Sequence, residues 1–119
     1  MFHAIVITEP DQHMHRFLWR ENSQEEPDTY VMTALNMGDI CSQNIAMESI
    51  FLTGERVKEQ FPEVNEILKS SSYVDDIVHS TLNNPRHVAN EVHGVLKEHG
   101  FNVKQWWILK GASSQRVGC

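Results

Sequence analysis

The segment Ser71-Ser72-Tyr73-Val74-Asp75-Asp76-Ile77-Val78-His79-Ser80 sets the architecture to expect for this chain. Two short apolar stretches, Ser71–Val74 and Ile77–Ser80, flank a pair of adjacent aspartates. β-branched and aromatic residues favour extended backbone and Asp favours turns, so the segment predicts a tight β-hairpin with acid at its joint. Neighbouring carboxylates repel, and each raises the cost of ionising the other. A divalent cation removes that penalty, and hard cations such as Mg²⁺ take carboxylate oxygens. The same pair also suits a plain polar turn.

Outward from this hairpin the chain alternates strands with helices. Downstream, Asn84 caps a helix with Pro85 at its first position, Val88, Val92, Val95 and Leu96 as its apolar stripe, and Gly100 at its end. Phe101 to Ile108 reads as a last strand, and Gly111 to Cys119 as a patternless, frayed tail. Upstream, Pro62 to about Lys69 forms a short helix that buries Val64, Ile67 and Leu68. Before it Ser42 caps a helix running to about Gln60, in which Ile45, Ala46, Ser49, Ile50, Thr53 and Val57 share a face and Gly54 interrupts. Phe2 to Thr8, Arg16 to Arg20 and Thr29 to Leu35 read as strands, the last two as a hairpin with a polar tip around Pro27. Asn36 to Cys41 is a turn containing Gly38. The order β-ββ-α-α-ββ-α-β predicts an α+β fold, an antiparallel sheet with helices packed on one face.

Composition narrows the function. With 40% hydrophobic and 22% charged residues the 119-residue chain is globular rather than disordered. A net charge of −6 argues against a stand-alone nucleic-acid binder. No apolar run could span a bilayer, no leader segment is visible, and Cys41 and Cys119 follow no disulfide pattern. The expectation is an intracellular protein, cytoplasmic or nuclear, without membrane contact. The seven histidines offer no tetrahedral zinc set, since His87, His93 and His99 lie six apart and point different ways around a helix. Trp106-Trp107 could stack on bases, or divide between core and surface.

Tyr73-Val74-Asp75-Asp76 between two strands resembles the third catalytic motif of reverse transcriptases. Met1-Phe2-His3 followed by Ile5-Val6-Ile7 is similar to the segment just after the first catalytic aspartate of that family. Arg16-Phe17-Leu18-Trp19-Arg20 resembles the strand that BEL/Pao-type retrotransposons place next. Tyr30-Val31-Met32-Thr33, then Gly38, Ser42 and Ala46, resembles the second motif, and Gly100-Phe101 with Lys104 and Trp106 the segment after the catalytic hairpin. The pieces occur in family order over residues 1–107, leaving 108–119 divergent. Met37 before Gly38, Gln43 after Ser42 and Trp107 to Lys110 depart from the family pattern.

The resemblance implies a partial right-hand polymerase palm with a piece of the fingers, working by two-metal nucleotidyl transfer. It makes Asp75 and Asp76 the catalytic and metal-binding residues, with Mg²⁺ or Mn²⁺ as cofactor. It gives Phe2, Gly38, Ser42 and Tyr73 nucleotide or template contacts. Read without it, Phe2 is a core residue, Gly38 a turn glycine and Ser42 a helix cap. The partners it implies are an RNA or DNA template-primer and a deoxynucleotide. The first catalytic aspartate would fall ahead of Met1, so weak or absent metal binding and no DNA synthesis are expected of the chain alone. Self-association through exposed palm surface is the partner expectation for such a fragment. The competing expectation is a non-catalytic α+β interaction module derived from a retroelement.

Overall fold

The computed structural model describes residues 1–110 and 113–117. Its body is made of helices. α1 is a single turn, Glu9–Gln12, started by Pro10. α2 (Ser42–Val57), α3 (Pro62–Ser70) and α4 (Pro85–Glu98) pack around one apolar cluster. Ile50 and Val57 from α2, Val64, Ile67 and Leu68 from α3, and Val88, Val92, Val95 and Leu96 from α4 meet there, closed by Phe101. On α3 and α4 these are the stripes that helical periodicity predicts; of the face expected on α2, Ile45 is exposed and Ala46 belongs to a second cluster. Each fully buried aliphatic side chain contributes about 1.5–3 kcal/mol by leaving water, so this cluster dominates the stability of the chain.

The helix ends are specified locally. The Asn84 side chain accepts a hydrogen bond from the Arg86 amide at 3.0 Å, with Pro85 at the first position of α4. At the other end Gly100 adopts φ +85°, a conformation that costs glycine nothing. The Phe101 amide then reaches the Leu96 carbonyl at 2.8 Å and the Gly100 amide reaches Lys97 at 3.1 Å. This Schellman closure folds Phe101 back onto Leu96 and into the core. Phe101 is therefore a capping residue, and the strand expected to begin with it starts at Trp106.

The chain is mixed α+β, with four α-helices and three two-stranded antiparallel sheets among the described residues. The single sheet with helices on one face is not formed. β1 (Arg16–Trp19) pairs with β2 (Asp28–Val31), β3 (Ser72–Tyr73) with β4 (Asp76–Ile77), and β5 (Trp106–Lys110) with β6 (Ser113–Val117). β6 occupies part of the tail expected to fray from Gly111. It has no apolar alternation to betray it in sequence and is a strand because β5 pairs with it along its length. The strand expected over Phe2 to Thr8 shrinks to a 3₁₀ turn at Phe2–Ala4 and a bridge between Val6 and Ala34. Two backbone bonds hold that bridge, Ile7 amide to Thr33 carbonyl (3.1 Å) and Leu35 amide to Ile5 carbonyl (2.8 Å).

With its sheets separate, the chain is open. It measures 59 × 31 × 23 Å with a radius of gyration of 18.3 Å, against about 13.5 Å for a compact domain of this length. No helix among the described residues is long and apolar enough to cross a membrane.

The acidic hairpin as candidate functional site

β3 and β4 are joined by the two residues Val74 and Asp75, with Tyr73 opposite Asp76 and Ser72 opposite Ile77. Strand alternation puts Tyr73 and Asp76 on the outer face and Ser72 and Ile77 on the inner one. Ile77 accordingly packs against the helical core, while Tyr73, Asp75 and Asp76 are exposed. A two-residue hairpin with positive φ at its first loop position is a turn that favours glycine there. Here that position is Val74, at φ +51°. A β-branched residue in this region stores on the order of 1–3 kcal/mol, and such strain persists only where surrounding contacts hold it.

Those contacts come from the segments that carry the other motifs. Val74 packs against a second, small cluster of Phe2, Leu35 and Ala46. Its amide points at the Met47 sulfur, 3.2 Å away on α2. Below the turn, the Val78 amide bonds the Ser71 carbonyl at 2.9 Å and the Ser71 hydroxyl meets His79 Nδ1 at 3.0 Å. Met47 and Leu35 were not singled out as site residues from sequence. Neither carries a chemical signature, and their part is to brace Val74.

The predicted site residues divide accordingly. Phe2 is buried, 4% exposed, and stands under the turn with Val74. Gly38 has φ +110°, a conformation that suits glycine, and a Cβ there would meet nothing within 4 Å. Ser42 is not the helix cap. Cys41 holds that position, and the Ser42 hydroxyl donates instead to the Asn36 carbonyl at 2.5 Å, tying the Gly38 turn to α2. At 1% exposure Ser42 has no surface to offer a substrate. Tyr73 is 78% exposed beside the acidic pair.

Asp75 and Asp76 supply the oxygen donors that suit Mg²⁺ or Mn²⁺, which keep several waters and need one or two protein carboxylates plus substrate phosphate. The donor type fits the ion, but the number falls short of a two-metal centre. Among the described residues no group of three His, Cys, Asp or Glu gathers to hold a metal. The hairpin also lines neither of two surface concavities. One of about 590 Å³ lies between Ala4–Val6, Leu52, Arg56 and His99, and one of about 290 Å³ between Ile7, His15, Leu35 and Cys41.

The second concavity contains an ion pair that sequence pattern could not reveal. His15 Nε2 meets Asp39 Oδ2 at 2.8 Å and His15 Nδ1 meets the Asp11 carbonyl at 3.1 Å. Both ring nitrogens facing acceptors favour the imidazolium. The Asp11 carbonyl, then the Asp39 carboxylate, raises the His15 pKa above its ordinary value, with partial burial opposing.

Comparison with known proteins returned no matching family model, no matching curated sequence and no matching solved structure.

Proposed function

We propose that the chain is a palm fragment of a reverse transcriptase of the BEL/Pao retrotransposon type, unable to copy a template by itself. One observation carries this reading. Three stretches far apart in sequence, each resembling a different polymerase motif, meet at one small cluster: Phe2, Ala46 and Val74. The strained Val74 is braced by those two segments. Strain held by surrounding contacts is typical of functional turns.

On this reading Asp75 and Asp76 hold a divalent ion at the tip of the hairpin, with Tyr73 exposed beside it and Phe2 buried beneath the turn. The ion, when bound, supplies positive charge for developing phosphate charge. The hairpin's own part is to present one carboxylate from its turn, Asp75, and one from the start of β4, Asp76. Phosphoryl transfer depends on positioning and electrostatics, so a site missing acidic ligands loses nearly all of its rate.

Two measurements test this. In primer extension with Mg²⁺ or Mn²⁺, the chain is expected to add no nucleotide, and extension abolished by Asp75→Asn would overturn the claim of inactivity. In NMR titration with Mn²⁺, line broadening is expected to centre on residues 73–77 and to vanish in Asp75→Asn. Broadening spread over the acidic surface, indifferent to that substitution, would reduce the hairpin to a polar turn.

The alternative, a non-catalytic α+β interaction module, draws on a different observation. The chain exposes 9048 Å², where a compact monomer of this length exposes about 6,600 Å². Surface of that extent is what a fragment separated from neighbouring domains shows, and equally what a docking module shows.

A further inference from the structure

We propose that the groove between residues 4–6 and the C-terminal ends of α2 and α4 binds an extended peptide. The peptide adds as a strand along Val6, with an acidic side chain on Arg56 and a basic one beside Glu98. The proposal does not rest on the polymerase reading, and the acidic hairpin takes no part in it.

The backbone supplies the first argument. Ile5 (φ −102°, ψ 110°) and Thr8 (φ −64°, ψ 150°) are extended, and Val6 between them bridges Ala34. The bonds of that bridge come from its neighbours, Ile7 amide to Thr33 carbonyl and Leu35 amide to Ile5 carbonyl. Strand geometry therefore turns the Val6 N–H and C=O to the opposite edge. They meet no partner there among the described residues, and Val6 is 77% exposed. One residue presenting both groups on an open edge is the unit to which an antiparallel strand adds, since facing residues exchange both bonds. Proteins guard such edges with charge or proline, and Ile5-Val6-Ile7-Thr8 carries neither.

The groove beside this edge supplies the second argument. Its volume of about 590 Å³ falls within the ~300–1,000 Å³ of ligand sites. Arg56 and Glu98 both line it, and among the described residues neither forms an ion pair. The Ser49 and Thr53 hydroxyls are engaged by carbonyls of their own helix, each at 2.8 Å. Arg56 is thus the donor left for an anionic group, and a guanidinium takes a carboxylate through two parallel bonds. His99 Nδ1 donates to the Val95 carbonyl at 2.8 Å, which leaves Nε2 of the neutral ring as an acceptor next to Glu98. The α2 wall therefore offers a fork of donors and the α4 end offers acceptors, which suit an ammonium. Leu52, 56% exposed, adds apolar surface with Val6.

Charge then selects the occupant. The chain carries −6, so a strongly acidic peptide is repelled at long range, and a strongly basic one leaves Arg56 facing its own sign. A peptide with one acid and one base satisfies both walls at no net charge. Side chains on one face of a strand lie two residues apart, so acid and base flank an apolar residue over about five residues, roughly 17 Å.

The test is an NMR titration of the full chain with the blocked peptide acetyl-Thr-Glu-Thr-Val-Thr-Lys-Thr-amide, and with the same residues in reverse order, up to about 2 mM. At least one of the two is expected to shift the amides of residues 4–8, 52–56 and 98–101 in a saturable way. Proline in place of its central valine removes the N–H that pairs with the Val6 carbonyl, and should weaken binding at least about tenfold. Arg56→Gln should weaken it by a similar factor, about tenfold or more. Glutamine in place of the peptide's glutamate should then bind wild type and Arg56→Gln alike. Arg56 is exposed, so the helical circular dichroism of Arg56→Gln should match wild type. No saturable shift with either peptide overturns the proposal, as do shifts centred elsewhere on the chain. An affinity unchanged by Arg56→Gln, or by the central proline, overturns it as well.

Discussion

The helical body and the β1–β2 hairpin both carry large apolar side chains, yet in one they are closed off from water and in the other they are open to it. In α2, α3 and α4 the apolar residues repeat at helical spacing, so three stripes face one another and Ile67, Leu68, Leu96, Val64 and Val92 leave water almost entirely. In β1 the run Phe17-Leu18-Trp19 alternates between two faces with nothing laid over either. The contrast teaches that hydrophobicity earns stability only where topology supplies a second layer. Three helices in sequence can cover each other, whereas a lone hairpin must borrow its cover.

The largest expected effect falls on the body. Leu68, fully buried at the α2–α3 contact, should lose about 2–5 kcal/mol when cut to alanine, read by denaturant unfolding followed by circular dichroism. The matched truncation Leu18→Ala in the hairpin should cost less than about 0.5 kcal/mol, since Leu18 is 68% exposed. Equal losses at the two sites would break the comparison, because they would mean that the hairpin is already covered within one chain.

A smaller effect separates ends specified by local sequence from those set by tertiary contact. Asn84→Ala removes the side-chain acceptor for the Arg86 amide and should destabilise by about 1 kcal/mol. Ser42→Ala, at the position expected to cap α2, removes no cap bond, only the tie to the Asn36 carbonyl. Amide exchange sharpens the distinction: protection at the first turn of α4 should fall in Asn84→Ala, while Ser42→Ala should loosen residues 36–41 and leave the start of α2 in place. Loss of protection in the first turn of α2 would restore Ser42 to the capping role.

Glycine substitutions give a finer comparison inside the body itself. At Gly94, on the exposed side of α4, a Cβ would meet nothing within 4 Å. Gly94→Ala should therefore stabilise by about 0.5–1 kcal/mol through helix propensity. At Gly54 a Cβ would lie 3.0 Å from Asn65 Oδ1 and 3.4 Å from Leu68 Cβ, where α3 crosses α2. Gly54→Ala should fall below Gly94→Ala in melting temperature. Equal gains would mean that the α2–α3 contact is looser than the structure has it.

These cases also show what the sequence could and could not carry. α3, α4 and the Schellman closure at Gly100 are legible because stripe, cap and terminator lie within a few residues of one another. The pairing of Arg16–Trp19 with Asp28–Val31 is legible for the same reason, and so is a hairpin around the aspartates, but its turn falls at Val74-Asp75 rather than on the two aspartates, and Asp76 lies in β4. The extent of the sheets is not. Whether Phe2 to Thr8 becomes a strand depends on how much of Ala34 and its neighbours can pair with it. Likewise β6 exists because β5 lies beside it, not because Ser113–Val117 has a pattern of its own. At the candidate site the residue types of the acidic pair were plain in sequence, and so was Phe2. The bracing of Val74 by Leu35 and Met47, and the burial of Ser42, depend on contacts between segments with no shared periodicity.

The smallest effect lies between the two regions, where His15 at the foot of the hairpin joins Asp39 in the Gly38 turn. Asp11 presents its carbonyl to the same ring, and Arg16 lies against His13 rather than against His15. The acceptors raise the His15 pKa, so the folded state holds its proton more tightly than the unfolded chain. The stabilisation from this pair is therefore complete below the unfolded value of about 6.5 and disappears as pH rises through the higher folded value. His15 and Asp39 are each about a third exposed, so the gain is modest and screened by salt. Amide exchange at residues 36–41 should accelerate between mildly acidic and mildly alkaline pH beyond the intrinsic chemical rate, and His15→Gln should flatten that excess. Core amides in α3 should show no such excess in either protein. An excess surviving in His15→Gln would assign it to another group, and an excess shared by α3 would mean that the hairpin foot and the helical body open together.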